Sequence, residues 1–472
     1  MDKIVIPFFP KQIATRAIFI YLTSLALVSA LFFRYSMPFW RMGLGLLFVS
    51  GFFGITSAWS KSTIRMQDNQ FQWKLFGVAF AFRLLWMLSS YFYYIVVNGN
   101  PFEFGAADSM GYHEEAEDMY ALPWKDVMDY YFGPESTGIS DVGYSLHLTI
   151  LYKSFGPIIL VPRIIKCLLS AWMCVLLYKL ASRVFSESVG RMAGIMCCLM
   201  PNLIIYCGYH LKETEMLFLE VAFLERMDYL MRVKRYSLWN ILAPILLAGS
   251  LFFFRTVLGG VAVFAYVSAV VFSNTPLMKK QGRRALLIGW GALALVFTVG
   301  TTLSMEVEYY WEQRETNVVA KRESQTAKGS QWAKYATGTV MAPMIIALPL
   351  STMVVTEGQE NQLTKQGGNF VRTFMAFFAL LAIVEALRQK KWRGFTLIGS
   401  FTLGYLGIIS ITGFSNAERF LLPGLPGLIM MWAYGISEMK ERSYKLFHPW
   451  CILVVIAEIG WAYFKLGSRG LL

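Results

Sequence analysis

Charge is scarce in this sequence. Only 15% of its 472 residues are Asp, Glu, Lys or Arg, against roughly 25% in an ordinary soluble domain. That shortage argues against a soluble chain. Cysteine is also sparse. The six cysteines, at 167, 174, 197, 198, 207 and 451, show no metal-site spacing and fall inside or beside apolar runs. They read as small core residues rather than disulfides or ligands. There is no internal repeat and no low-complexity tract. No cleavable signal peptide is evident: the first apolar run, Ala17 to Phe33, is too long for a signal core and is expected to persist as a helix. A basic domain is missing too, although the net charge is +13. The cations sit in short clusters between apolar runs, such as Arg232, Lys234 and Arg235, or Lys279, Lys280, Arg283 and Arg284. That is the pattern of cytoplasmic loops, so nucleic acid is rejected as a partner.

What is present is apolar length. Hydrophobic residues make up 56% of the chain, and Ala285 to Thr302 and Phe395 to Ile411 carry no charge. A crossing of a 30 Å hydrocarbon core needs about 20 apolar residues. In lipid the backbone must satisfy its own hydrogen bonds, so these runs must be helices. An outer-membrane barrel would alternate apolar and polar residues instead. The expected fold is an all-α polytopic bundle, a single integral membrane domain over 1–472. About 13 spans are expected, beginning near 16, 39, 75, 160, 191, 214, 237, 257, 285, 370, 395, 420 and 448. Their midplanes read as mostly clean, with charges gathered at the ends.

Basic clusters fix an expected orientation. With Lys3 and Lys11 in the cytoplasm, Lys61, Arg65, Lys74, Arg388, Lys390, Lys391, Arg393, Lys440, Arg442 and Lys445 also fall inside. Two polar segments then face outward. The first, 98–142, holds ten acidic residues and one lysine, Lys125. The second, 305–369, contains the apolar stretch Val340 to Val355 with Pro343 and Pro349. A full crossing there would invert everything downstream, so it reads as re-entrant or interfacial.

Ionisable residues near the membrane are costly and mark candidate sites. Asp108 lies about ten residues beyond the Leu75 to Val97 crossing. Tyr112 and Ala116 are four apart and share a helix face. Lys212 and Glu213 occupy a tight outer turn, and Arg255 and Arg419 stand at outer span ends. One acidic loop and three cations at one face suit chemistry on a lipid phosphate: the cations hold the phosphate and a carboxylate deprotonates a hydroxyl. The same residues also fit plainer roles. Arg255 and Arg419 fit snorkelling anchors, and Lys212 with Glu213 fits a structural ion pair. His113, His147 and His210 with Glu114 match no metal motif, so no metal and no cofactor is assigned.

Four segments together resemble the GT-C glycosyltransferases, the group that includes protein O-mannosyltransferases and lipid A aminoarabinose transferases. They are Ala-Asp-Ser-Met-Gly-Tyr-His-Glu-Glu-Ala at 107–116, Asp-Val-Gly-Tyr-Ser-Leu at 141–146, Pro201 to Leu217, and Glu-Arg-Phe-Leu-Leu-Pro-Gly-Leu-Pro at 418–426. Two features differ from the family pattern: two spans precede the helix that leads into the acidic loop, where family members usually have one, and Ser109 rather than an acid follows Asp108. The resemblance implies a polyprenyl-phosphate-linked sugar donor and a glycan, lipid or protein acceptor. It implies an active site on the outer, periplasmic face of a bacterial inner membrane. Asp108 would be the general base of an inverting transfer. Tyr112, His113, Lys212, Glu213, Arg255 and Arg419 would bind substrate. Three rivals stand beside it: a polysaccharide polymerase or ligase, a lipid or glycan flippase, and a non-catalytic scaffold. Clean midplanes and the missing repeat weigh against the flippase.

Overall fold

A computed structural model describes residues 6–134, 140, 142–233, 237–273, 285, 288–289, 350–411, 418–467 and 469–472. Among these the regular structure is helical, with one isolated bridge between Ser36 and Val354. Seven helices are long and apolar enough to cross a membrane: Lys11–Leu31, Phe39–Ser62, Asp68–Asn98, Leu160–Val184, Glu360–Arg388, Glu418–Ser437 and Glu441–Gly467. Glu187–Leu199 and Pro201–Cys207 make an eighth if their 47° bend lies within one span. Leu238–Phe254, Thr256–Phe272 and Thr396–Ser410 are shorter and apolar. Glu213–Arg232 has the length of a span but carries seven ionisable residues. The chain is thus a helical, multi-pass membrane protein. Most of the expected span near 285, and the whole segment 290–349, lie outside the described residues. Residues 350–354 run as buried, mostly irregular chain, and Val355 is exposed.

The helix Glu418–Ser437 forms the centre, with 94% of its apolar window buried, whereas Asp68–Asn98 and Glu441–Gly467 stand at the rim with 28% each. Close approach at the centre needs glycine. A Cβ on Gly435 would lie 2.0 Å from the Phe378 carbonyl oxygen. Small residues let helices pack this closely in lipid, where apolar burial alone gives no driving force. All six cysteines are free and buried, as their apolar setting predicts.

Two expectations are corrected. The helix expected from 370 begins at Glu360, so Lys365, Gln366 and Asn369 belong to it and are buried. The midplanes are also less clean than they read. Arg83 is the sixteenth of 31 residues in its helix and Arg372 the thirteenth of 29, and both are fully buried. Single charges inside long apolar windows leave the hydropathy high, which hides them.

Arg83 has a definite structural task. The break at Met200 interrupts a helix at membrane depth and leaves its last carbonyls without intrahelical partners. Arg83 Nη2 donates to Cys197 O at 3.1 Å and Nη1 to Cys198 O at 3.0 Å. Its remaining N–H groups reach Ala79 O, Ser170 Oγ and Cys174 Sγ. All five donors are used. Arg83→Met is expected to destabilise the protein by about 3 kcal/mol, because two buried carbonyls lose their donor at about 1–3 kcal/mol each. Thermal unfolding in detergent checks this; an unchanged melting temperature would show that the cap is dispensable.

Candidate functional site

The site is assembled at one end of the bundle by four chain breaks. The first follows Asp68–Asn98. Gly99 ends that helix with φ +73° and Gly105 turns the chain again at φ +60°; both are left-handed conformations that favour glycine. Between them, Asn98 Nδ2 donates to Phe102 O at 2.8 Å and Arg163 Nη2 to Pro101 O at 2.8 Å. The buried Glu103 accepts from Ser109 Oγ at 2.6 Å. These bonds fix the start of the helix Ala107–Ala121, with Asp108 in its first turn. A carboxylate is favoured there by the helix dipole. Tyr112 and Ala116 do share a face: both pack against Tyr144 of the helix Val142–Phe155, with the Tyr112 and Tyr144 rings 5.0 Å apart.

The second break is the turn 208–212 between Pro201–Cys207 and Glu213–Arg232. Its carbonyls are gathered by a fully buried ammonium: Lys166 Nζ donates to Tyr209 O at 2.8 Å and to Leu211 O at 2.5 Å. The same ammonium pairs with Glu215 at 3.7 Å. Lys212 and Glu213 are thereby held inward, both buried. The third break is Arg255, an extended residue joining Leu238–Phe254 to Thr256–Phe272. Its Nη1 donates to Tyr405 Oη at 3.3 Å, and its Nη2 lies 4.0 Å from Glu213. The fourth is the start of Glu418–Ser437. Glu418 is fully buried, pairs with Lys365 at 2.8 Å and accepts from Asn202 Nδ2. Lys365 also reaches Tyr206 Oη at 3.3 Å. Arg419 follows and forms an ion pair with Asp108. The guanidinium carbons of Arg255 and Arg419 lie over the Phe420 ring at 4.8 and 5.0 Å.

Six of the seven residues singled out in the sequence therefore meet. Asp108, Tyr112, Lys212, Glu213, Arg255 and Arg419 form one electrostatic group, in which Tyr112 and Lys212 each feel Asp108, Glu213, Arg255 and Arg419. Lys212 is driven down to about 7, first by burial and then by Arg255. The Tyr112 phenol is raised, again by burial first and then by Glu213. His113 turns elsewhere. Its Nδ1 meets Tyr152 Oη at 2.8 Å, and its ring lies 5.5 Å from Phe102 and 5.9 Å from His210. Burial lowers the proton affinity of both histidines, more strongly for His210.

The sequence reading missed the residues that hold this group in place: Arg163, Lys166, Asn202, Lys365, Glu418 and Tyr405. One signal was available. Arg163 and Lys166 are three apart near the start of an apolar span, the position where paired ionisable residues mark a site. Among the described residues no three His, Cys, Asp or Glu side chains gather as a metal ion would require. The arrangement offers one half-exposed carboxylate beside three cations, of which Lys212 is buried and Arg255 partly buried. That set can hold an oxyanion and accept a proton close to it. Compared with family models, curated proteins and solved structures, the chain gives no match.

Proposed function

We propose that this protein is a membrane glycosyltransferase of the GT-C kind. It moves a sugar from a polyprenyl-phosphate donor to an acceptor hydroxyl at the outer face of a bacterial inner membrane. The observation that carries the reading is Asp108 ion-paired to Arg419, with Lys212 and Arg255 in the same group. The acceptor oxygen attacks the anomeric carbon, the bond from that carbon to the phosphate oxygen breaks, and the configuration inverts. Asp108 takes the acceptor proton, and the bond's electron pair leaves on the phosphate. A phosphate is a weak base, so it needs charge stabilisation more than a protonating acid. Lys212, Arg255 and Arg419 supply it. Glu213 keeps Arg255 oriented, and Tyr112 walls the group on the Tyr144 side.

The purified protein in nanodiscs is the test system. Transfer from a polyprenyl-phosphate monosaccharide supports the proposal. Joining of pyrophosphate-linked repeat units would replace it with a polymerase, and label crossing a proteoliposome without covalent transfer would replace it with a transporter.

Lys212 makes the reading pH-sensitive. It titrates near 7 in the free site, shifted down by burial and by Arg255, with Glu213 and Asp108 opposing and Arg419 adding to the shift. A bound phosphate favours the charged ammonium, so binding is strongest below that value and weakens above it. Donor KM is expected to stay flat under pH 6 and to rise by up to about tenfold per pH unit above 7. Lys212→Arg, whose charge persists at all these pH values, should flatten the rise. The same slope in both proteins would exclude Lys212 as its source.

A further inference from the structure

We infer that Arg419 masks Asp108 until the donor phosphate takes the guanidinium, so that donor binding comes first and frees the base. The inference rests on the function proposed above and concerns the order of events at that site. Three observations carry it. Asp108 Oδ2 is engaged by Arg419 Nη1, so this oxygen is not open to an acceptor hydroxyl. The pair is also exposed, with the Asp108 and Arg419 side chains 48% and 36% accessible. Such pairs contribute little net stability and separate readily. Other cations nearby are committed more deeply. Lys365 is buried against Glu418, Lys166 against Glu215 and two carbonyls, and Arg255 is held by Tyr405 and Glu213. Lys212 is buried, so Arg419 is the cation of this group whose described ion pair lies open to solvent, where an incoming anion can compete for it.

A phosphate is suited to win it. As a diester it carries one negative charge and two non-bridging oxygens, like a carboxylate, but placed at Arg419 it also faces Lys212 and Arg255, which share its charge. Phe420 offers Arg419 a surface to rest on during the exchange, since the guanidinium already lies over its ring while paired with Asp108. Released, Asp108 stands at the mouth of the group with a free oxygen, beside the phosphate that has displaced it. Without a donor the Oδ2 atom of the base stays occupied, which disfavours transfer of the acceptor proton to that oxygen in an empty site.

The consequence runs against the usual effect of removing a site residue. Asp108 competes with the donor for Arg419, so abolishing its charge should tighten phosphate binding even as it stops transfer. The probe is a ten-carbon prenyl monophosphate, titrated into the full-length protein in nanodiscs. Asp108→Asn is expected to bind it about three- to tenfold tighter than wild type, and Arg419→Gln about tenfold weaker. In the Arg419→Gln background the gain from Asp108→Asn should shrink to less than about twofold. The matching prenyl alcohol should bind all variants alike. Asp108→Ser, with its melting temperature, guards against a fold defect in a single variant. Equal or weaker phosphate binding by both Asp108 variants would overturn the inference, as would equal tightening for the alcohol. Because the probe carries no sugar, the two readings fail separately. Tighter binding without any transfer by wild type would sink the glycosyltransferase and leave a masked anion site. Transfer with unchanged binding would sink only the masking.

Discussion

Asp108→Asn should lower sugar transfer by about 100- to 10,000-fold, the range a positioned general base supplies. The folded protein should survive the change. Asp108 is about half exposed and its described ion pair, to Arg419, is solvent-accessible, so little stability depends on it. The buried Glu103–Ser109 bond, not Asp108, holds the start of its helix. Loss of one cation is a milder change, because two others remain to hold the phosphate. Rate measurements on Asp108→Asn beside Arg255→Met in the same nanodiscs separate the two. Near-normal transfer by Asp108→Asn would remove it as the base and leave Glu213, the other carboxylate of the group, as the residue to examine.

Lys365→Met should destabilise the protein by about 3–5 kcal/mol, as expected when one partner of a buried ion pair is removed. Glu418 is fully buried, and without Lys365 its charge would keep the Asn202 amide and the field of the buried Arg372 but lose its described ion pair. The loss should be largely repaired in Lys365→Met with Glu418→Gln, which removes both charges and keeps an amide for Asn202. Denaturation of the two variants in detergent reads this directly. If the double variant is no more stable than the single one, the damage comes from lost packing rather than from an orphaned charge. The pair matters to the site because Glu418 precedes Arg419. A helix start pinned to Lys365 on the helix Glu360–Arg388 sets where the Arg419 side chain begins.

The fold and the site were legible to different depths. Long apolar runs forced helices, and seven of them stand as spans by length and composition. The site residues were legible because charges near a bilayer collect at chain breaks, and Asp108, Lys212, Arg255 and Arg419 all sit at or beside one. His113 stands apart from the charged group for a geometric reason. It is one residue past Tyr112, and neighbours in a helix point about 100° apart, so it faces Tyr152 and His210 instead. Lys365 was hidden by its surroundings. The polar run Gln-Gly-Gly-Asn at 366–369 reads as loop, yet the glycines serve close packing: a Cβ on Gly367 would come within 2.9 Å of the Gly45 carbonyl oxygen. Arg83 and Lys166 could not be placed from sequence, since the carbonyls they hold are 115 and 43–45 residues away.

That separation gives Arg83 a history as well as a place. It is synthesised 114 and 115 residues before the two carbonyls it will cap. At about 5–20 residues per second this is a wait of roughly 6–23 s. Through that interval the helix Asp68–Asn98 must enter the bilayer with an unmatched cation at its centre, a burden of about 2.5–3.5 kcal/mol on the insertion scale. The apolar residues around it have to carry the span across alone. A substitution that trims this surplus, such as Leu84→Ser, would be felt at the ribosome-bound stage and leave the finished protein's contacts with Arg83 intact.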